Sequence, residues 1–489
     1  MGPKSSLSQK VARGGLWVFT LKIIEKIFGF TRLIILARLL APNDFGLVGI
    51  ALLTLSILET FSETGFQTAL IQKKGDISAY LNTAWTASIL RGIILFIVIF
   101  FSAPYVSLFF KSAEASSVLK VLGLSILLRG FTNSGVVYFQ KELQFNRQFV
   151  YGLIVTVADF VVAIVAALML KNMWALVFGY LSGNLAGVVA SYVMHPYRPR
   201  IKLDLAKLKE LSAFGKWVFA YSILYFVITQ GDDFFVGKVL GILALGFYQM
   251  AYRIANIPAT EITNVISKVI FPAYAKMQID IPRLRESFIR VVQFIAFLSF
   301  PIAGLIFVLA PDFTKIFLGD KWMPMVQAMK VLVLWGLVRS LGTATGTLLV
   351  SIDKPAIVTK LHFATLILLG GLIYPLSLKW GILGTSLAVF FATLVPNVVT
   401  FIAVIKIIRC EINYVMKMII LPLLNTIFVV ILISFVKSYC DNAGILIFIS
   451  NIILGLASYC CIAYLCDKLY DYRLMNNIKM SINSLKTFP

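Results

Sequence analysis

RGIILFIVIFF (91–101) sets one arginine against nine consecutive apolar residues. VVAIVAALML (161–170) does the same two residues after Asp159. Runs this unbroken exclude a transmembrane β-barrel, whose strands alternate apolar and polar residues in pieces of about ten. They leave two readings: helices of a packed core, or helices in lipid. Working outward from residue 91, the apolar stretch covers 80–103, enough for the ~20 residues that cross the hydrocarbon layer. Composition decides between the two. The 489-residue chain is 60% hydrophobic and 13% charged, with a mean hydropathy of +0.91. A soluble domain is about half apolar and a quarter charged. The apolar excess is too large for a core and must face lipid.

About fourteen such stretches follow one another. They cover 14–38, 44–70, 80–103, 117–139, 149–170, 173–194, 214–238, 242–275, 288–310, 324–351, 357–378, 381–406, 414–436 and 443–466. Twelve or thirteen spans is the next reading. MGPKSSLSQK at the start has no apolar stretch and no cleavage site, so the first span is expected to stay in the mature protein. Met1-Gly2 with Ser6 formally fits a myristoylation pattern, and is read as chance.

The net charge of +22 would point to nucleic acid in a soluble protein. Here the basic residues sit in inter-helix loops, with no basic domain to hold a duplex. With the N-terminus in the cytoplasm, roughly 25 Lys and Arg fall inside and about 9 outside, the asymmetry that sets topology. HPYRPRIKLDLAKLKEL (195–211) is the most basic of the inside loops. From Leu203 it reads as an amphipathic helix on the membrane, with Leu205, Leu208 and Leu211 at three-residue spacing. Both termini are expected in the cytoplasm.

That loop divides the chain. Shifted by 200 residues without gaps, Gly15, Trp17, Val18 and Phe19 lie on Gly215, Trp217, Val218 and Phe219. Ile23, Leu40 and Gly46 lie on Ile223, Leu240 and Gly246. Six spans separate the copies, so both enter the membrane in the same direction, as a parallel repeat. The expected organisation is a first lobe over 1–194, a cytoplasmic amphipathic linker over 195–213, a second lobe over 214–410, and two more helices with a tail over 411–489. The fold class is an all-α polytopic membrane protein: two pseudo-symmetric six-helix lobes plus two C-terminal helices.

Many charges fall inside spans, where each costs ~2.5–3.5 kcal/mol on insertion scales. The basic ones are Lys22, Lys26, Arg32, Arg91, Arg129, Arg253 and Arg339. The acidic ones are Glu25, Glu59, Glu63, Asp159, Asp232, Asp233 and Glu261. At 100° per residue, Lys22, Glu25, Lys26 and Arg32 fall within an arc of about 120°. Glu59 and Glu63 are one turn apart. Tyr221, Tyr225, Thr229 and Asp232 share a stripe about 80° wide. Such stripes read as walls of a polar cavity. The competing reading is ion pairing between helices, for instance Glu25 with Arg91 or Arg129. The arginines suit an anion, because the guanidinium fork matches phosphate oxygens. Tyrosine rings suit sugars. A cavity for hydrophobic cations would instead need aromatics and a few carboxylates.

The five cysteines, Cys410, Cys440, Cys460, Cys461 and Cys466, form no CxxC pair, and the two histidines, His195 and His362, complete no ligand set. No metal, cofactor or Cys–His nucleophile is expected.

FGFTRLIILARLLAPNDFGLVGI (28–50), ETGFQTALIQKK (63–74) and the Asp, Gly-Lys, Gly-Phe-Tyr, Arg, Pro and Phe-Pro landmarks of 230–280 carry a family resemblance. The chain resembles Wzx-type polysaccharide flippases of the multidrug/oligosaccharidyl-lipid/polysaccharide exporter superfamily, the colanic-acid and teichuronic-acid exporters above all. The likeness covers most of 10–410. It implies translocation of undecaprenyl-pyrophosphate-linked oligosaccharide from the cytoplasmic to the periplasmic leaflet by alternating access, with no catalysis. It implies a bacterial inner-membrane location, a monomer, and a polysaccharide polymerase and chain-length regulator as partners. Under this reading Arg32, Arg91, Arg129, Arg253, Arg339, Lys22, Lys26, Tyr221 and Tyr225 bind substrate. Asp232, Asp233, Glu59, Glu63, Asp159 and Glu25 couple an ion or gate the path, with Asp232 foremost, or pair with Arg32. The alternatives are a lipid II flippase, a cation-coupled multidrug antiporter and a membrane polymerase or ligase. The last would need a large periplasmic loop, and the outside loops are short.

Overall fold

A computed structural model describes residues 7–62, 65–73, 75–257, 270–439 and 444–470, with the side chains of 7–19, 211–222, 224, 225, 469 and 470 outside the description. The helices in order are α1 (Leu7–Leu39), α2 (Pro42–Phe61), α3 (Phe66–Gln72), α4 (Ser78–Phe109), α5 (Ala113–Gly130), α6 (Val137–Lys141), α7 (Phe145–Leu170), α8 (Trp174–Met194), α9 (Leu205–Phe235), α10 (Ile242–Ala255), α11 (Ile281–Phe313), α12 (Val326–Ser351), α13 (Pro355–Ile407), α14 (Ile412–Tyr439) and α15 (Ile445–Tyr470).

Nine helices among the described residues are long and apolar enough to cross a membrane, and α5 with the turn and helix over 134–141, bent by 69°, makes a tenth candidate. The 53-residue α13 supplies two spans, because Gly381 breaks it with φ 57° and ψ −136°. That backbone region is open only to glycine at low cost. The helices α1 and α9, 33 and 31 residues long, have the length to cross but carry the charges noted above. Each expected span therefore overlaps a helix; that at 44–70 runs past the end of α2 into the separate α3, and that at 242–275 lies only partly within the described residues.

The chain divides into two compact units, Met1–Gly246 and Phe247–Pro489. In the first, α8 packs on α7 through Gly179, Gly183 and Gly187. A Cβ at Gly179 would stand 2.5 Å from the Ala163 Cβ, and one at Gly183 would stand 3.2 Å from the Val155 carbonyl oxygen. Small residues at four-residue spacing let helix backbones approach in lipid, where packing and not water drives association. Opposite this seam α7 turns Val161, Val165, Leu168 and Met169 outward. The first unit's core joins Leu36, Leu47, Leu55, Ile99, Leu122 and Ala167.

The segment after α8 is extended, not helical, and lies along the start of α4. The Arg200, Lys202 and Asp204 N–H groups donate to Asn82 Oδ1, Thr86 Oγ1 and Thr83 Oγ1 at 2.7, 3.1 and 3.3 Å. Asp204 then caps α9, accepting from the Ala206 and Lys207 N–H groups. The amphipathic stretch is helical from Leu205 and runs on into the seventh span without a break. Leu208 packs toward Phe66, Leu70 and Leu81, while Leu205 is exposed.

In the second unit α11 is central, packed by α12, α14 and α15. Phe288, Val292 and Ile295 of α11 meet Leu348, Val404, Val415 and Met418. The Asp312–Lys437 ion pair, 2.5 Å, ties α14 to the end of α11.

Candidate functional site

Within the first unit the intramembrane charges meet across helices. Arg32 of α1 donates to Asp159 Oδ1 of α7 at 3.0 Å. The glycines of α8 leave room for that carboxylate, since a Cβ at Gly179 would stand 3.0 Å from Asp159 Oδ1. Arg129 of α5 lies 3.1 Å from Glu59 Oε1 of α2, and its other amino group donates to the Tyr180 hydroxyl of α8 at 2.6 Å. Arg91 of α4 donates to the Glu59 carbonyl at 3.0 Å and the Ser62 hydroxyl at 2.9 Å, closing the C-terminal end of α2. Tyr180 directly follows Gly179, the glycine that Asp159 Oδ1 lies against. The two ion pairs thus border one another, and α1, α2, α4, α5, α7 and α8 each contribute a group.

Several expected partnerships differ. Glu25 pairs with Lys22 of its own helix at 2.9 Å, not with Arg91 or Arg129. Arg129 takes Glu59 instead. Arg32 meets Asp159 and, among the described residues, not Asp232. The reason is geometric. Three-residue spacing within α1 puts Lys22 on the face of Glu25, whereas the partner helix depends on packing that a one-dimensional arc does not carry. Lys22, Lys26 and Arg253 are exposed along their helices. Asp232 and Asp233, near the end of α9, are buried at 3% and 8% exposure. Glu63, Glu261 and the side chains of Tyr221 and Tyr225 lie outside the described residues.

Arg339 of α12, in the second unit, is set differently. It donates to Asn256 Oδ1 at 3.3 Å and lies 5.2 Å from the Trp335 ring. Sequence reasoning passed over Ser62, Tyr180, Asn256 and Trp335. Each is a polar-tipped side chain inside an apolar run, which was the signal available.

Outside the spans, Glu210 accepts from Lys73 and, at 2.8 Å, from the Tyr80 hydroxyl. These bonds hold its carboxyl below the usual range and raise Lys73. His195 closes α8 and accepts the Tyr197 N–H at Nδ1, 3.1 Å. Burial first, and then Arg147, lower its pKa.

The family described as "Polysaccharide biosynthesis protein" matches residues 35–327. The chain is 24% identical over 404 residues to the lipopolysaccharide biosynthesis protein WzxC of Escherichia coli (strain K12), covering 82% of each chain. It is 24% identical over 349 residues to the teichuronic acid biosynthesis protein TuaB of Bacillus subtilis (strain 168), covering 71% of this chain and 72% of that one. Its fold is similar to that of the lipid II flippase MurJ in an inward closed conformation. The TM-score is 0.72 at 16% identity, over 93% of this chain and 99% of that one.

Proposed function

The chain belongs to the family of polysaccharide biosynthesis proteins, and from that membership we propose that this multi-pass membrane protein is a flippase for a lipid-linked oligosaccharide. Its cargo is the polyprenyl-pyrophosphate-linked repeat unit of a surface polysaccharide, moved from the cytoplasmic to the periplasmic leaflet of the inner membrane. Two relatives carry names in lipopolysaccharide and teichuronic acid biosynthesis. The observation that carries the reading is the network joining Arg32, Asp159, Tyr180, Arg129, Glu59 and Arg91. Charges at membrane depth are costly and mark substrate and ion pathways.

In this reading the lobes 1–194 and 214–410 rock about the path, joined by the 195–213 linker, with 411–489 outside the repeat. The arginines receive pyrophosphate and the tyrosines receive sugar. Asp232 and Asp233, both buried, take up and release the coupling ion in this reading. Both termini are cytoplasmic, and the protein works as a monomer beside a polymerase and a chain-length regulator. The second cargo, lipid II, has its support in the fold alone.

Deletion of the gene in its host tests the proposal. Labelled lipid-linked repeat units should accumulate, shielded from a glycosidase added outside, while surface polysaccharide falls; a plasmid copy should reverse both. Normal surface polysaccharide without accumulation would sink it. Arrested cell-wall synthesis with normal polysaccharide would favour lipid II.

A further inference from the structure

The spacing of leucines from Leu203 onward assigns membrane contact to a helix, yet Leu208 of that helix packs on Phe66, Leu70 and Leu81. The residues just before it are the exposed ones. Residues 198–205 read Arg-Pro-Arg-Ile-Lys-Leu-Asp-Leu. Alternate backbone N–H groups, those of Arg200, Lys202 and Asp204, are spent on Asn82, Thr86 and Thr83 of α4. The two threonines are buried. Outward, Ile201 is 84% exposed and Leu205 71%. Arg198, Arg200 and Lys202 are exposed beside them. The apolar area of Ile201 and Leu205 is costly to leave in water.

Aromatic groups mark how deep this stretch lies. Trp85 of α4 donates its Nε1–H to the Phe131 carbonyl at 3.4 Å, and the Tyr192 hydroxyl, near the end of α8, donates to the same carbonyl at 2.9 Å. The Tyr197 hydroxyl donates to Asn82 Oδ1 at 2.8 Å. Tryptophan and tyrosine collect at the membrane–water boundary, where the ring is in an apolar layer and the polar tip is wet. Lys202 meets Thr86, the residue after Trp85 and about two turns along α4 from its start at Ser78. The stretch therefore dips to headgroup level.

At that level the pattern fits one occupant. Apolar side chains enter the boundary of the acyl layer, and the cations meet phosphate oxygens. Asp204, the one acid in the stretch, is engaged by the Ala206 and Lys207 N–H groups and by the Lys207 ammonium, and so does not oppose an anionic surface. We infer that residues 198–205 form a phospholipid-binding surface that takes anionic headgroups of the adjoining leaflet, with Ile201 and Leu205 as its apolar anchors. The inference stands apart from which cargo the chain carries.

The test uses the full chain, its native cysteines replaced, in nanodiscs of phosphatidylcholine alone or mixed with phosphatidylglycerol. A nitroxide on Ile201→Cys reports depth, because oxygen concentrates in the acyl layer and a neutral nickel chelate stays in water. Leu168→Cys, on the outward face of α7, is the lipid reference, and Glu142→Cys, exposed in the turn after α6, is the aqueous one. In mixed lipid the oxygen-to-nickel ratio at 201 should exceed that at 142 several-fold and approach that at 168. Phosphatidylcholine alone should lower the ratio at 201 about twofold, and Arg200→Gln with Lys202→Gln should remove that dependence on lipid charge. Arg290→Gln, an exposed cation on α11, should leave it intact. Leu205→Cys repeats the reading at the second anchor, so that one misfolded variant does not decide the outcome. Ratios at 201 and 205 equal to that at 142 in both lipids would put the stretch in water and overturn the inference. A high ratio that ignores phosphatidylglycerol overturns the assignment to anionic headgroups. Equal loss of the lipid dependence in Arg290→Gln overturns the assignment to this stretch.

Discussion

Arg32 and Asp159 hold opposite charges 3.0 Å apart, with side chains 19% and 28% exposed. Removing one partner of a buried pair leaves the other charge uncompensated, which costs about 3–5 kcal/mol. Asp159→Asn should therefore cut stability in detergent sharply, while the double Arg32→Met, Asp159→Leu should cost much less. Chemical denaturation of the three proteins checks this, and an Asp159→Asn protein as stable as wild type would deny the pair its structural part. Arg129 with Glu59 is more open, at 42% and 28%, so Arg129→Ala should cost under ~1 kcal/mol. A loss of export in Arg129→Ala at unchanged stability would then mark substrate contact. The candidate charges themselves were readable, because a charge in an apolar run announces itself. Their partners were not: arcs on one helix say which residues share a face, and nothing about which helix covers it. His195 gives a pH dependence at the same scale. Its lowered pKa means the fold holds it neutral while the unfolded chain takes up a proton at higher pH. Its contribution is present above the ordinary histidine value of ~6.5 and is lost as pH falls below it. Protonated Nδ1 no longer accepts the Tyr197 N–H, so the start of the linker should loosen. With native cysteines replaced, Ala84→Cys beneath the linker should label faster at pH 5.5 than at 7.5, and His195→Gln should flatten the difference.

Helix existence was legible from apolar run length: each of the fourteen expected spans overlaps a helix among the described residues. Where helices bend or touch was less so. The stripe Leu205, Leu208, Leu211 indicated an interfacial helix, yet Leu208 docks on Phe66, Leu70 and Leu81, because spacing identifies an apolar face and not its cover. The series Gly179, Gly183, Gly187 is present in the sequence and sets how closely α8 packs on α7. A methyl group at Gly179 meets Ala163 at 2.5 Å and Asp159 Oδ1 at 3.0 Å. Gly179→Ala must therefore push α8 from α7 and disturb the carboxylate that holds Arg32. Overpacking of this kind costs about 1–3 kcal/mol. Gly370→Ala, with nothing within 4 Å, should be neutral or slightly stabilising by helix propensity. Melting temperatures in detergent separate the two, and equal values would mean that α7 and α8 have slack the glycine distances deny.

Across the first unit as a whole, the sequence repeat acquires a physical meaning at one contact. The 200-residue shift lays Gly46 on Gly246 and Pro42 on Ile242. In the fold these four residues face one another reciprocally. A Cβ at Gly46 would stand 2.0 Å from the Ile242 carbonyl oxygen, and a Cβ at Gly246 would stand 2.1 Å from the Pro42 carbonyl oxygen. The same two Cβ positions lie 3.0 Å from the Gly246 nitrogen and 3.1 Å from the Gly46 nitrogen. A self-complementary contact, in which i meets j and j meets i, is what a two-fold axis produces. The contact thus supports the repeat from geometry, where the identities alone supported it from spelling. It also makes a quantitative demand. Neither carbonyl belongs to a flexible side chain, so each glycine should be intolerant of alanine to the same degree. Both substitutions separate the same pair of backbones, so once Gly46→Ala has forced α2 from α10, Gly246→Ala has little left to break. The double variant should lose clearly less stability than the two single losses added together. Denaturation of the three variants in detergent, with surface polysaccharide read alongside, gives the cycle. Additive losses, or a silent Gly246→Ala beside a damaging Gly46→Ala, would show that α2 and α10 do not meet as equivalent elements of a repeat.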